Sequence, residues 1–146
     1  MARYGVSRDA LHLEVTESAY VEDTQRVMGA VEELRSRGFI VEMDDFGSGY
    51  SSLNALKDID IDKLKLDMRF LSGESSEKGR IIVRYIIGMA QALRLPIIAE
   101  GVETLEQAEM LRALGCSEMQ GYYFSKPVPA EVYERLLRGD EEIATL

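Results

Sequence analysis

Residues 39–67 read FIVEMDDFGSGYSSLNALKDIDIDKLKLD, and this stretch decides the fold. It opens on an apolar run, Phe39–Met43, that reads as a strand. A polar, glycine-bearing turn follows, then a helical pattern over Ser51–Lys57, then a second strand pattern over Lys63–Asp67. Strand, helix and strand joined by short connections predict a parallel pair with a right-handed crossover, because a tight hairpin can join only antiparallel strands.

Working outward, the same order recurs. Strand patterns fall at Leu11–Val15, Ile97–Glu100 and Ser117–Tyr122, and helical patterns at Tyr20–Arg37, Lys78–Arg94, Leu105–Leu114 and Ala130–Arg138. Five βα units of about 29 residues suit an open doubly wound sheet or part of a (β/α)₈ barrel of roughly 250 residues. A closed barrel would need about three more units. Thr104–Gln107 reads as a capping box, and Pro129 fits the first turn of the last helix. Gly38 and Gly115 stand just past helix ends, where a left-handed residue is wanted. Ile82, Tyr85, Ile86, Met89, Ala90 and Leu93 keep the spacing of one apolar helix face. No low-complexity linker divides the chain, so residues 1–146 read as one domain, loose only at Ser72–Lys78 and in the acidic tail from about Gly139.

Composition narrows the class. The chain is 46% hydrophobic and 29% charged, as soluble globular domains are, and lacks a long apolar run or a basic-then-apolar leader. One cysteine, Cys116, supports neither a disulfide framework nor a zinc cluster, so the expected compartment is the cytoplasm. The net charge of −9 argues against duplex nucleic acid as a partner. Surplus carboxylate serves solubility when scattered, and a divalent cation when it converges.

Position separates those two readings. Each strand carries an acid or an amide near its C-terminal end: Glu14 and Glu17, Asp44 and Asp45, Asp67, Glu100 with Glu103 beyond it, and Gln120. Parallel strands open all these ends on one face, where α/β sites are built. Period-two alternation puts His12 with Glu14, Glu42 with Asp44, Lys63 with Lys65 and Asp67, and Glu118 with Gln120. If those faces point inward, Glu14, Asp44, Lys65, Glu100 and Gln120 form an upper ring. Such oxygen-rich rings suit Mg²⁺ or Mn²⁺, and two metals about 4 Å apart clamp the attacking and leaving oxygens of a phosphoryl displacement. A lysine among them can order the water or neutralise phosphate. A single acid at a strand end, such as Asp67, is ordinarily a helix cap or a solvated loop residue; five in register are not. Below the ring, Glu42 and Lys63 are expected to pair, since an unpaired charge there is costly. His12 reads as a packed or hydrogen-bonded interior histidine rather than a ligand. Tyr122, Tyr123 and Phe124 are open to two roles, stacking on a base or packing the wall.

Several segments carry a family resemblance. Leu13–Ser18 is similar to the L-E-[IV]-T-E-S segment of EAL domains, and Asp44–Leu53 resembles their D-D-F-G-[ST]-G-Y-S-S-L loop. Leu64–Asp67 resembles the L-K-[IL]-D strand, Ala99–Thr104 the A-E-G-V-E-T element, and Gln120–Pro127 the closing Q-G-Y-x-F-S-K-P signature. The resemblance implies a TIM-type barrel that hydrolyses cyclic-di-GMP to the linear dinucleotide pGpG with Mg²⁺ or Mn²⁺. It implies Glu14, Asp44, Asp45 and Glu100 as metal ligands, and Lys65 as the residue that positions water, with Asp45 and Glu100 beside it in the catalytic set. It implies Glu17 as a brace for the Asp45–Leu53 loop, with support from Asp67, Glu103, Gln120, Gly121, Phe124 and Pro127. The family's Glu-Ala-Leu tripeptide and its next-strand Asn do not occur here, and Met68 stands where many members carry Arg. The chain therefore reads as the last three-fifths of the domain, a partial barrel of about five βα units. The alternative is a catalytically inactive EAL fragment that binds cyclic-di-GMP or a protein partner. Unpaired sheet edges predict a homo-oligomer or a complementing N-terminal segment, and the parent protein is expected to carry sensory or GGDEF domains.

Overall fold

A computed structural model describes residues 2–47, 52–68 and 76–139. Two short 3₁₀ turns, Ala2–Tyr4 and Arg8–Ala10, precede the first strand. The strands are β1 (His12–Thr16), β2 (Ile40–Phe46), β3 (Lys63–Asp67), β4 (Ile97–Glu100) and β5 (Glu118–Met119). The helices are α1 (Glu17–Glu22), α2 (Thr24–Ser36), α3 (Ser52–Asp58), α4 (Ser76–Ala92), α5 (Leu105–Ala113) and α6 (Ala130–Arg138). The five strands form one parallel sheet in chain order, β1-β2-β3-β4-β5, with β1 and β5 at its edges. This is an open stretch of (β/α)-barrel wall rather than a closed barrel.

Alternation sorts the strands into two faces. Val41, Met43, Leu64, Leu66, Ile97 and Ala99 are buried on one face. They pack under Tyr20, Val31, Ala55, Val83, Ile87, Ala90, Ala108 and Leu111 from the helices. Burial of these side chains drives the fold, each worth about 1.5–3 kcal/mol before entropy is subtracted. The opposite face carries His12, Glu14, Glu42, Asp44, Lys63, Lys65, Glu100 and Glu118. Polar side-chain pairs tie its lower layer. His12 Nδ1 lies 2.5 Å from Glu42 Oε1, and Lys63 Nζ lies 2.7 Å from Glu118 Oε2. The Glu42–Lys63 pair expected from adjacency therefore gives way to two other pairs. Lys63, on β3, crosses to β5, and His12 satisfies the buried Glu42. His12 is hydrogen-bonded as expected, but its side chain is 39% exposed rather than interior.

Other boundaries also move for identifiable reasons. The helix expected over 20–37 is two. Thr16 Oγ1 accepts from the Ala19 N–H and starts α1 early, and Asp23 caps α2 by accepting from the Arg26 N–H at 3.1 Å. The capping box at Thr104 forms, and Gly38 and Gly115 both adopt φ of +85°. Pro129 sits at the N-cap of α6, one place before its first turn. On α4, Val83, Ile87 and Ala90 are buried and Ile86 and Met89 pack part-buried against the core, whereas Ile82 and Tyr85, and Leu93 just past the helix end, are exposed. Part of the segment expected to be loose, residues 72–75, lies outside the described residues; from Ser76 the chain is helical. The tail from residue 140 also lies outside them.

Candidate active site

The strand ends converge on one ammonium. Lys65, on the middle strand β3, is 6% exposed. Its Nζ lies 2.5 Å from Glu14 Oε1 on β1, 3.2 Å from Asp44 Oδ1 on β2 and 3.0 Å from Glu100 Oε1 on β4. A lysine ammonium has three protons to donate, and three carboxylates take them. Gln120, just past β5, donates from Nε2 to Glu100 Oε1 and brings the fifth strand into the cluster.

The electrostatics follow from the count. Three carboxyl groups surround one ammonium, so acidic groups outnumber the base. Burial raises the Glu100 carboxyl above its ordinary value; Lys65 draws it back down, and the neighbouring Asp44 pushes it up again. Burial works against the Lys65 ammonium. Hydrogen bonds to Glu14, Glu100 and Asp44 outweigh that penalty and hold Lys65 above the usual lysine range.

A bulge sets the two aspartates. Met43 pairs in register with Leu64, and Phe46 with Leu66, so Asp44 and Asp45 together stand opposite Lys65. One extra residue in β2 returns Phe46 to the core face of Met43, where it is 2% exposed. Asp45 takes φ of +56°, a left-handed conformation that Asp tolerates better than most residues. Its N–H donates to Asp44 Oδ1 at 2.9 Å. The extra residue breaks simple alternation between Met43 and Phe46.

Glu17 lies behind this bulge. It is 1% exposed in the first turn of α1, and its Oε2 accepts from the Gly47 N–H at 3.1 Å. Gly47 has φ of +92°, which a residue with a Cβ rarely adopts. Glu17 thus holds the start of the loop after β2; residues 48–51 of that loop lie outside the described residues. Asp67 ends β3 in register with Glu100.

The remaining expected residues divide. Glu103, Gln120, Gly121 and Pro127 line a cleft of about 720 Å³ between the turn after β5 and helix α6, together with Tyr122, Lys126 and Tyr133. Strand β5 stops at Met119, short of the expected Tyr122, because the chain turns against β4's exit. Val102 donates to the Gln120 carbonyl, and the Tyr123 N–H donates to the Val102 carbonyl. Gly121 has φ of +155°, and a Cβ there would lie 2.2 Å from the Val102 carbonyl oxygen. Phe124 packs with Tyr123 against the core, edge to face at 5.1 Å, so it lines the wall. Tyr122 is exposed on the cleft, with Lys126 Nζ 5.9 Å from its ring centre. The contribution of α6 to this cleft went unread in the sequence, although Val132, Tyr133, Leu136 and Leu137 fall at helical spacing.

The donor set suits a hard divalent cation. Glu14, Asp44 and Glu100 offer oxygen only, the donor type that Mg²⁺ and Mn²⁺ prefer. Among the described residues, no three acids, histidines or cysteines stand ready to enclose a metal, since the carboxylates are closed on Lys65. No helix among the described residues is long and apolar enough to cross a membrane.

Comparison with known proteins gives the family. The chain is 42% identical over 135 residues to the cyclic di-GMP phosphodiesterase NbdA of Pseudomonas aeruginosa, covering 92% of this chain but 17% of that protein. The chain thus spans less than a fifth of this curated relative's length. The crystal structure of the EAL domain of Mycobacterium smegmatis DcpA superposes with a TM-score of 0.86 at 38% identity, covering 95% of this chain and 63% of that one. The Klebsiella pneumoniae protein BlrP1, solved as a manganese and cyclic-di-GMP complex, superposes with a TM-score of 0.78 at 31% identity over 86% of this chain and 32% of that one. The EAL domain family model matches residues 1–127, and the chain belongs to the EAL domain family.

Proposed function

We propose that this chain forms the carboxylate face of a metal-dependent cyclic-di-GMP phosphodiesterase site, which opens the cyclic dinucleotide to linear pGpG. The observation that carries the reading is the convergence of Glu14, Asp44 and Glu100 on Lys65 from four strands. In this reading Glu14, Asp44, Asp45 and Glu100 hold Mg²⁺ or Mn²⁺, up to two ions, which would supply charge neutralisation at the phosphate. Lys65 orients water at the scissile phosphate, and Glu17 keeps the aspartate loop in place through Gly47. Asp67, Glu103 and Gln120 support the carboxylates, while Gly121, Phe124 and Pro127 shape the wall beside them. The 720 Å³ cleft next to Gln120 is in the range of small-ligand sites and presents Tyr122 for stacking on a base.

One observation favours a second reading, binding of cyclic-di-GMP without turnover. The carboxylates are closed on an ammonium, and the sheet has two edges at β1 and β5. We include in the proposal that a second copy or a complementing segment pairs with β1 or β5. In the parent protein the domain would work beside sensory or GGDEF domains in the cytoplasm. The test is chromatography of products after incubating the purified chain with cyclic-di-GMP and Mn²⁺. The expected result is linear pGpG, absent with chelator and absent for Asp44→Asn. Dinucleotide binding with no product selects the second reading; neither binding nor product contradicts both. A monodisperse monomer at high micromolar concentration would contradict the assembly.

A further inference from the structure

We infer that Lys65 is the resident cation of the carboxylate cluster, so that a divalent cation must compete with it for Glu14, Asp44 and Glu100. The inference rests on the reading above, in which those carboxylates take such a cation.

Three observations lead to it. First, the ammonium is fully committed: its three partners lie at 2.5, 3.0 and 3.2 Å, and each belongs to a different strand. An ordinary surface lysine makes one exposed pair of little worth. Second, Lys65 is the only cation paired with these carboxylates among the described residues, and its side chain is 8% exposed, so water is poorly placed to take over. Third, the cluster sits where four parallel strands end, and without a positive charge three facing carboxylates would push those ends apart. The lysine thus does structurally what a divalent cation does electrostatically. A donor on Lys65 becomes free for water or phosphate only when one of the three carboxylates turns away. Filling the cluster with a cation and releasing the lysine are then one exchange.

Lys65→Met removes the charge and keeps most of the side-chain volume. In chelator we expect this variant to melt about 5 °C or more below the wild-type chain. Saturating Mn²⁺ should close most of that gap. Calorimetric titration with MnCl₂ should show binding to the variant at least about tenfold tighter than to wild type, because the competing charge is gone. If wild type binds Mn²⁺ and the variant binds it no more tightly, the inference is overturned and the cation reading stands. If neither binds Mn²⁺, the cation reading falls and the competition with it. Should Lys65→Met not fold, the wild-type chain carries the test through ¹⁵N NMR of the Lys65 ammonium. Its signal should move with saturable Mg²⁺ binding, and a static signal while Mg²⁺ binds overturns the exchange. Lys65→Arg, which keeps the charge, should retain the wild-type melting point in chelator.

Discussion

Leu64 and Lys65 are neighbours on β3, and they answer to different physics. Leu64 and Leu66 turn to the helices and are fully buried among Val83, Ile87 and Ala90. Lys65 turns the other way and is also buried, yet its ammonium pairs with three carboxylates. The apolar face asks only for volume and pattern, so many residues would serve it. The charged face asks for partners: removing one leaves another buried and unpaired. The difference teaches where each property of the molecule lives. One face makes the sheet fold, and the other makes its strand ends into a candidate site.

Substitutions can break or sharpen that contrast. The largest loss of stability should come from the apolar face. Leu66→Ala empties a fully buried site and should cost about 2–5 kcal/mol by chemical denaturation, while cation binding per folded molecule stays unchanged. A smaller loss is expected at Glu17→Ala, about 1–3 kcal/mol, since the part-buried Gly47 N–H loses its acceptor. This variant should also weaken Mn²⁺ binding, because it loosens the bulge that sets Asp44 and Asp45; unchanged Mn²⁺ affinity would sever that link. Thr104→Ala lies on neither face. It removes one half of the α5 capping box and should cost about 1 kcal/mol in thermal melts without touching the site. The smallest effect is expected at Arg138→Ala on α6, within about 0.5 kcal/mol, as its pair with Glu134 is exposed on both sides.

The contrast also explains what could be read in advance. Period-two alternation announced the charged face residue by residue, and parallel topology brought Glu14, Asp44, Lys65, Glu100 and Gln120 to one end. These are long-range consequences of local pattern, which is why a sequence carries them. The bulge was not legible. Nothing in Met43-Asp44-Asp45-Phe46 says that Asp45 will accept φ of +56°, because pairing with β3 imposes that conformation. The break at Asp23 was hidden inside a continuous helical pattern, where an N-cap looks like any surface acid. Lys63 found Glu118 two strands away rather than its neighbour Glu42, since long side chains reach across a concave face and Glu42 is satisfied by His12. The apolar residues of α4 showed the helix but not which stripe would be covered, which depends on how the helix lies on the sheet.

The central claim is that the charged face recognises the cyclic dinucleotide through a cation held by its carboxylates. Equilibrium binding of cyclic-di-GMP to the wild-type chain and to Asp44→Asn, each with Mn²⁺ and with chelator, tests it most directly. The account predicts binding to wild type with Mn²⁺ alone, and at least about a tenfold loss in the other three cases. Equal binding in all four would contradict it.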